Sequence, residues 1–138
     1  MPITQISVFV ENKPGRFAEV TSRLEHAQAK ILAFCIADVG DFGIIRLIVN
    51  KPELSIKALE GFAKSINQVV VIPITEQTSV SKIANLLGSK KINIDYAYTS
   101  AIPINGNLAL ILRVSDAEKT ERILMENNIK VLTQKDFE

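Results

Sequence analysis

An α+β fold made of two βαββαβ units is what this 138-residue sequence predicts, and three observations carry the prediction. Short runs of alternating apolar and polar residues give way to helically spaced ones, as at Val8–Val10 followed by Phe17, Val20 and Leu24. The chain repeats itself: sliding it by 63 residues lays "KILAFCIADVGDFGIIRLIV" from Lys30 over "NIDYAYTSAIPINGNLALIL" from Asn93. Turn residues punctuate both copies, most clearly Asn105-Gly106 between two apolar runs, the strongest short-range hairpin signal.

The elements follow in order. A strand over 3–11 leads into a helix over about 15–27, then strands near 31–38 and 43–50. Gly40-Asp41 and Gly43 supply the turn between those strands. Pro52 opens the next helix, a favoured position in the first turn, with Leu54, Ala58, Leu59 and Phe62 facing inward. The second copy has a helix over 78–90, strands over 92–100 and 107–114, a helix over 116–127 with Ile123 and Leu124 inward, and a closing strand "IKVLT". Asp116 and Glu118 read as charges at that last helix's N-terminus. The 63-residue offset sets Ile31 over Ile94, Gly43 over Gly106, Leu47 over Leu110, Val20 over Ile83 and Gly15 over Thr78. The order βαββαβ is the ferredoxin-like arrangement. The expectation is therefore two such units side by side, antiparallel sheets with helices on one face, divided as 1–68 and 69–138. "INQVVVIPIT" at 66–75 has to close one unit and open the next, so one long or kinked strand and one rigid body are expected.

Composition narrows the function classes. Hydrophobic residues at 47% suffice for a packed core, and a net charge of +1 gives no reason to expect a nucleic-acid partner, which needs a concentrated basic face. A lone cysteine excludes an internal disulfide, and Cys35 in "ILAFCIA" reads as a buried, inert thiol. The N-terminus lacks the features of a signal peptide, and no apolar run approaches the roughly 18 residues of a membrane helix. A soluble, cytoplasmic protein without a membrane partner is expected. His26 has no acidic or Cys neighbours at ligand spacing and reads as a surface residue; no metal site and no cofactor are expected. No nucleophile–base pairing or phosphate loop stands out.

The stretch that asks for a function is Asn12-Lys13-Pro14-Gly15, where strand becomes helix. The first N–H groups of a helix lack intrahelical partners and favour an anion. Gly15 lets a ligand approach the backbone, Pro14 stiffens the approach and removes a donor, and Asn12 offers both a donor and an acceptor. An α-amino acid has the matching character. A plain strand-to-helix turn with Asn capping locally is the simpler alternative.

With this loop, the element order and the duplication together, the sequence resembles the ACT domains, βαββαβ modules that bind amino acids and regulate metabolism. The loop is similar to the Asn-Arg-Pro-Gly of the regulatory domain of phosphoglycerate dehydrogenase, and Ile92-Asn93-Ile94 resembles the start of the family's second strand. Unit one has Lys30-Ile31 there, without the Asn. The layout looks like short proteins made of two ACT units. The resemblance implies an effector held by the first loop (Asn12, Lys13, Pro14, Gly15, Arg16 and Phe17) with Asn93, Ile94 and Tyr96 opposite. The mate of this site would use Thr75-Glu76-Gln77-Thr78 with Lys30, where the Thr78 Cβ crowds the backbone and Glu76 repels a carboxylate. One competent site and one degenerate site are therefore expected. The partners implied are a free amino acid and a regulated metabolic enzyme or transcription factor.

Two other classes fit less well. An RNA-binding ferredoxin-like domain needs aromatics on its central strands, which "IIRLIV" and "LALILR" lack, and Tyr96 and Tyr98 read as core. An acylphosphatase-like hydrolase needs a glycine-rich loop, and this loop has a single glycine. A structural scaffold is the bland alternative. If Val8, Val10, Ala33, Cys35, Ile45 and Leu47 face the helices, then Phe9, Leu32, Phe34, Ile36, Ile44 and Ile48 form an outward apolar face, extended by Ile111. The opposite parity would leave an equally apolar outer face, so either phase predicts a homodimer joined through sheet faces.

Overall fold

The computed structural model describes residues 2–137. It divides into two compact units, Thr4–Asn67 and Gln68–Phe137, the second also taking Pro2 and Ile3. The first unit runs β1 (Ile3–Glu11), α1 (Arg16–His26), β2 (Ile31–Val39), β3 (Phe42–Val49), α2 (Pro52–Ala58) and the start of β4 (Ala63–Pro73). The second continues along β4 with α3 (Val80–Ser89), β5 (Tyr96–Thr99), β6 (Ala109–Arg113), α4 (Ala117–Glu126) and a 3₁₀ turn at Gln134–Phe137. The hydrogen-bonded order is β2-β3-β1-β4 in the first and β4-β6-β5 in the second. These are two ferredoxin-like units of the α+β class. Segment 66–75 is indeed strand for most of its length, and β4 begins three residues earlier than expected.

Each unit has its own core. Ile6, Val8 and Val10 of β1 and Ile45, Leu47 and Val49 of β3 pack against Val20 and Leu24 of α1 and against Leu59. In the second, Val70, Ile72, Leu110 and Leu112 meet Ile83 and Leu87 of α3 and Leu124 of α4. The spacing that suggested these helices is the spacing of their buried stripes. Pro52 stands at the first position of α2, as expected. The inward residues of α2 differ: Leu54 is exposed, while Ser55 is buried and its hydroxyl donates to Lys51 O at 2.7 Å. Ile56 packs against the core in Leu54's place.

The duplication shows in the backbone as well. Gln28 (φ 60°) and Lys91 (φ 60°) are related by the 63-residue offset, and both leave their helices in the left-handed region. The bond Ala29 N–H to Leu24 O (3.0 Å) is repeated as Ile92 N–H to Leu87 O (2.9 Å). Gly61 and Asn128, after α2 and α4, are left-handed too. This is the usual helix exit, here built mostly without glycine.

The hairpins depart from the expected alignment. Gly40-Asp41 alone turns β2 into β3, and Gly43 lies inside β3 paired with Val10. Asn105 (φ 53°) and Gly106 (φ 88°) make the second turn, both left-handed as a type I′ turn requires. The second strand of unit two is shorter than expected, because residues 92–95 are irregular before Tyr96. "IKVLT" is not a strand; it keeps one ladder-like bond, Leu132 N–H to Val71 O at 2.8 Å.

The predicted outward face also needs correction. Phe34 pairs with Leu47 and Ile36 with Ile45, and direct partners share a face, so Phe34 and Ile36 lie on the helix side. The Phe34 ring stands 5.6 Å from that of Phe17 on α1. A register shift between Ile31 and Ala33 changes the phase of β2 and sends Ala33 and Cys35 to the opposite side. Leu32, Ile48 and Ile111 are buried within the single chain. Cys35 is half-buried rather than buried. Among the described residues no helix is long and apolar enough to cross a membrane.

Candidate functional site

The loop Asn12–Gly15 is fixed at both ends by backbone bonds. Asn12 N–H donates to Asp41 O of the β2–β3 turn at 2.9 Å, and Glu19 N–H donates to Gly15 O at 3.0 Å. Gly15 is the N-cap of α1 with φ 89°, and no side chain caps the helix. A Cβ at Gly15 would meet nothing within 4 Å, so the glycine is required by its left-handed backbone rather than by lack of space. The uncapped first turn leaves N–H groups for an incoming acceptor.

Charged side chains ring this turn. Glu11 receives Lys13 Nζ at 3.1 Å and Arg16 at 3.2 Å, and Arg16 also reaches Glu19 at 2.9 Å. The Lys13 hydrogen bond, then the charges of Lys13 and Arg16, hold the Glu11 carboxyl below its ordinary range. The Arg16 guanidinium is held above its own, chiefly by the bond to Glu19. Both loop cations are therefore already partnered within the loop.

Beneath the loop lies a hollow of about 280 Å³. All six first-loop residues expected at a site, Asn12, Lys13, Pro14, Gly15, Arg16 and Phe17, line it. Val10, Glu11, Ile36, Gly43 and Ile45 complete the lining and were not foreseen. Glu11 carried a signal, a carboxylate close in sequence to Lys13 and Arg16. Ile36 carried none, because the register shift that aims it here has no glycine to mark it.

Asn93, Ile94 and Tyr96 do not line that hollow. Asn93 is exposed and donates its amide to Asp95 at 3.0 Å. Ile94 packs against the core of its own unit, and the Tyr96 ring lies 6.5 Å from Tyr98. Lys30, expected at the degenerate site, is tied by its N–H to the Asn50 side chain at 2.8 Å. The loop Thr75–Thr78 closes on itself: Thr75 N–H donates to Thr78 O at 3.1 Å and Thr78 N–H to Thr75 Oγ1 at 3.0 Å. Ser79 then caps α3 by accepting from Lys82 N–H at 3.1 Å. His26 is exposed, and no cluster of His, Cys, Asp or Glu among the described residues could hold a metal ion.

The family model for an ACT domain pair matches residues 1–138. The crystal structure of protein BT0572 from Bacteroides thetaiotaomicron is similar, with 35% identity and a TM-score of 0.86 over 99% of this chain and 96% of that one. The ligand-free regulatory subunit of aspartate kinase from Thermus thermophilus shares the fold at 18% identity and a TM-score of 0.64, over 91% and 93% of the two chains. The corresponding subunit from Thermus flavus does so at 16% identity and a TM-score of 0.59, over 91% and 92%. No curated protein matches the sequence.

Proposed function

This chain belongs to the ACT family as an ACT domain pair, and from that premise we propose that it is a non-catalytic regulatory protein binding a free amino acid under Asn12–Phe17. The observation that carries the reading is an uncapped helix start, held open by left-handed Gly15, above a hollow floored by apolar side chains. The ligand carboxylate meets the first N–H groups of α1, favoured there by the helix dipole. The ammonium has Glu11 and the Asn12 carbonyl within the same hollow, and Glu11 is an exposed carboxylate whose pKa Lys13 and Arg16 lower further. Phe17, Ile36 and Ile45 favour an apolar side chain on the ligand. Regulation of a metabolic enzyme or transcription factor in the cytoplasm completes the reading.

Thermal shift against the standard amino acids tests it. A ligand at a hundredfold excess over its dissociation constant stabilises the fold by about 2.7 kcal/mol. Apolar amino acids should raise the melting temperature most, and no shift with any amino acid at millimolar concentration would overturn the proposal. The contribution expected of Asn93, Ile94 and Tyr96 rests on the family resemblance alone; unchanged affinity in Asn93→Ala removes it.

Assembly as a homodimer belongs to the same proposal, revised to the strand that ends the first unit's order. β2 presents Phe34 (40% exposed), Ile36 (53%) and Val39 (60%), with Phe42 (58%) beside them. An apolar, unpaired edge invites a partner strand. Phe34→Asp should dissociate the dimer, and sedimentation of the unmodified protein as a 15.2 kDa monomer would dispose of it.

A further inference from the structure

We infer that the second unit carries a separate pocket for a small oxygen-rich anion, a carboxylate or phosphate, organised around Lys130. A cavity of about 240 Å³ lies between the Thr75–Thr78 loop, the Asn105-Gly106 hairpin tip and the chain that follows α4. Water occupies about 30 Å³ per molecule, so the space suits a compound of roughly eight non-hydrogen atoms. Its polar lining is Thr75, Thr78, Asn105, Asn107, Asn128 and Lys130, over a floor that includes buried Ile104 and Leu132.

The fold aims these groups. Ile129 is driven into the core, which turns its neighbours Asn128 and Lys130 outward to the cavity. Asn128 (φ 61°) holds the left-handed exit of α4. Asn105 is set by its amide bond to Asp136 at 3.1 Å, and Asp136 also accepts from Thr133 N–H at 2.8 Å. Asp136 is not part of the lining; among the described residues Lys130 is the one charged side chain that lines the cavity, and it has no salt bridge among them. An anion gains a charge-assisted bond there, and the amides and threonine hydroxyls supply further donors.

Two features fix the ligand class. Among the described residues no carboxylate lines the cavity, so an ammonium group finds no counter-charge on them, unlike the hollow under Asn12–Phe17 with its Glu11. No aromatic among the described residues lines it either. The hollow that follows the matching helix exit of the first unit, at Gly61–Ala63, is walled by Phe9, Phe42 and Phe62. The polar set is thus peculiar to the second unit.

The test is a proton–nitrogen NMR titration of the full chain with inorganic phosphate, malate and alanine in separate arms. Phosphate or malate, whichever oxyanion is preferred, should give saturable shifts at Asn105, Asn107 and Asn128 in the millimolar range. Lys130→Gln, an exposed substitution, should weaken that binding by about tenfold or more, the worth of one charged hydrogen bond. Alanine should leave those three amides unmoved. Failure of both anions to shift them, equal titration of Lys130→Gln, or a response to alanine as strong as to the anions would each overturn the assignment. Signals of Asn12–Phe17 report the amino-acid site independently, so neither result decides the other.

Discussion

At the mouth of α1 the chain turns through left-handed Gly15 and leaves the helix without a side-chain cap. At the mouth of α3, Thr75 and Ser79 take up the Thr78 and Lys82 N–H groups, and the helix starts one residue later than the 63-residue offset would place it. The two loops descend from one pattern and have diverged in what they do with the same orphan donors. In α3 two nearby N–H groups are satisfied internally, which serves stability; in α1 the first turn stays open above a hollow, as the proposed binding requires. The difference supports one amino-acid site per chain. It also suggests that the degenerate loop is not merely eroded, since its threonine and serine hold a turn of their own.

The cores are the first place where the two units can be set apart. Leu24 and Leu87 are related by the offset and both fully buried. Leu24→Ala and Leu87→Ala should each cost about 2–5 kcal/mol, and chemical denaturation giving very unequal losses would show that the two units do not contribute alike. At the loops, Gly15→Ala forces an L side chain to a φ of 89° and should cost about 1–2 kcal/mol. It should also weaken amino-acid binding, whereas Thr78→Gly should leave affinity unchanged by calorimetry. Ser79→Ala removes the α3 cap and should cost about 1 kcal/mol in the same denaturation assay.

The smallest effect is that of pH on the loop. The folded pKa of Glu11 is lowered, so its contribution is present above the ordinary carboxylate value and is lost as pH falls through the lowered one. Glu11 is exposed, and the effect on stability should be slight. Carboxyl NMR should show the Glu11 midpoint rising in Lys13→Gln, since Lys13 is the largest cause of the shift.

Much of this was legible in the residues. Alternation and helical spacing reveal β1, α1, β3 and β6, because burial on one face leaves a period in the sequence. Asn12–Phe17 were identified as a group because Pro14 and Gly15 interrupt that period where a helix begins. The phase of β2 was not legible, since its register shift falls among Ile31, Leu32 and Ala33, residues ordinary in any strand. That shift moved Phe34 and Ile36 to the helix side and brought Ile36 into the hollow. The closing segment is no strand for a different reason: "IKVLT" has strand composition, yet among the described residues only Leu132 supplies a ladder-like bond. Asn93 and Ile94 matched a motif whose strand here starts only at Tyr96.

The left-handed helix exits have a consequence for engineering. Gln28, Lys91 and Asn128 hold dihedrals that glycine adopts freely, and only Gly61 uses glycine there. Side-chain crowding at such a position costs about 1–2 kcal/mol, while glycine's extra freedom in the unfolded chain returns about 0.5–1 kcal/mol of that. Replacing Gln28 and Lys91 by glycine should therefore harden the protein against heat without touching either pocket. Lys130 and the Asn12 loop would remain as they are, which makes the doubly substituted chain a sturdier background for the binding measurements.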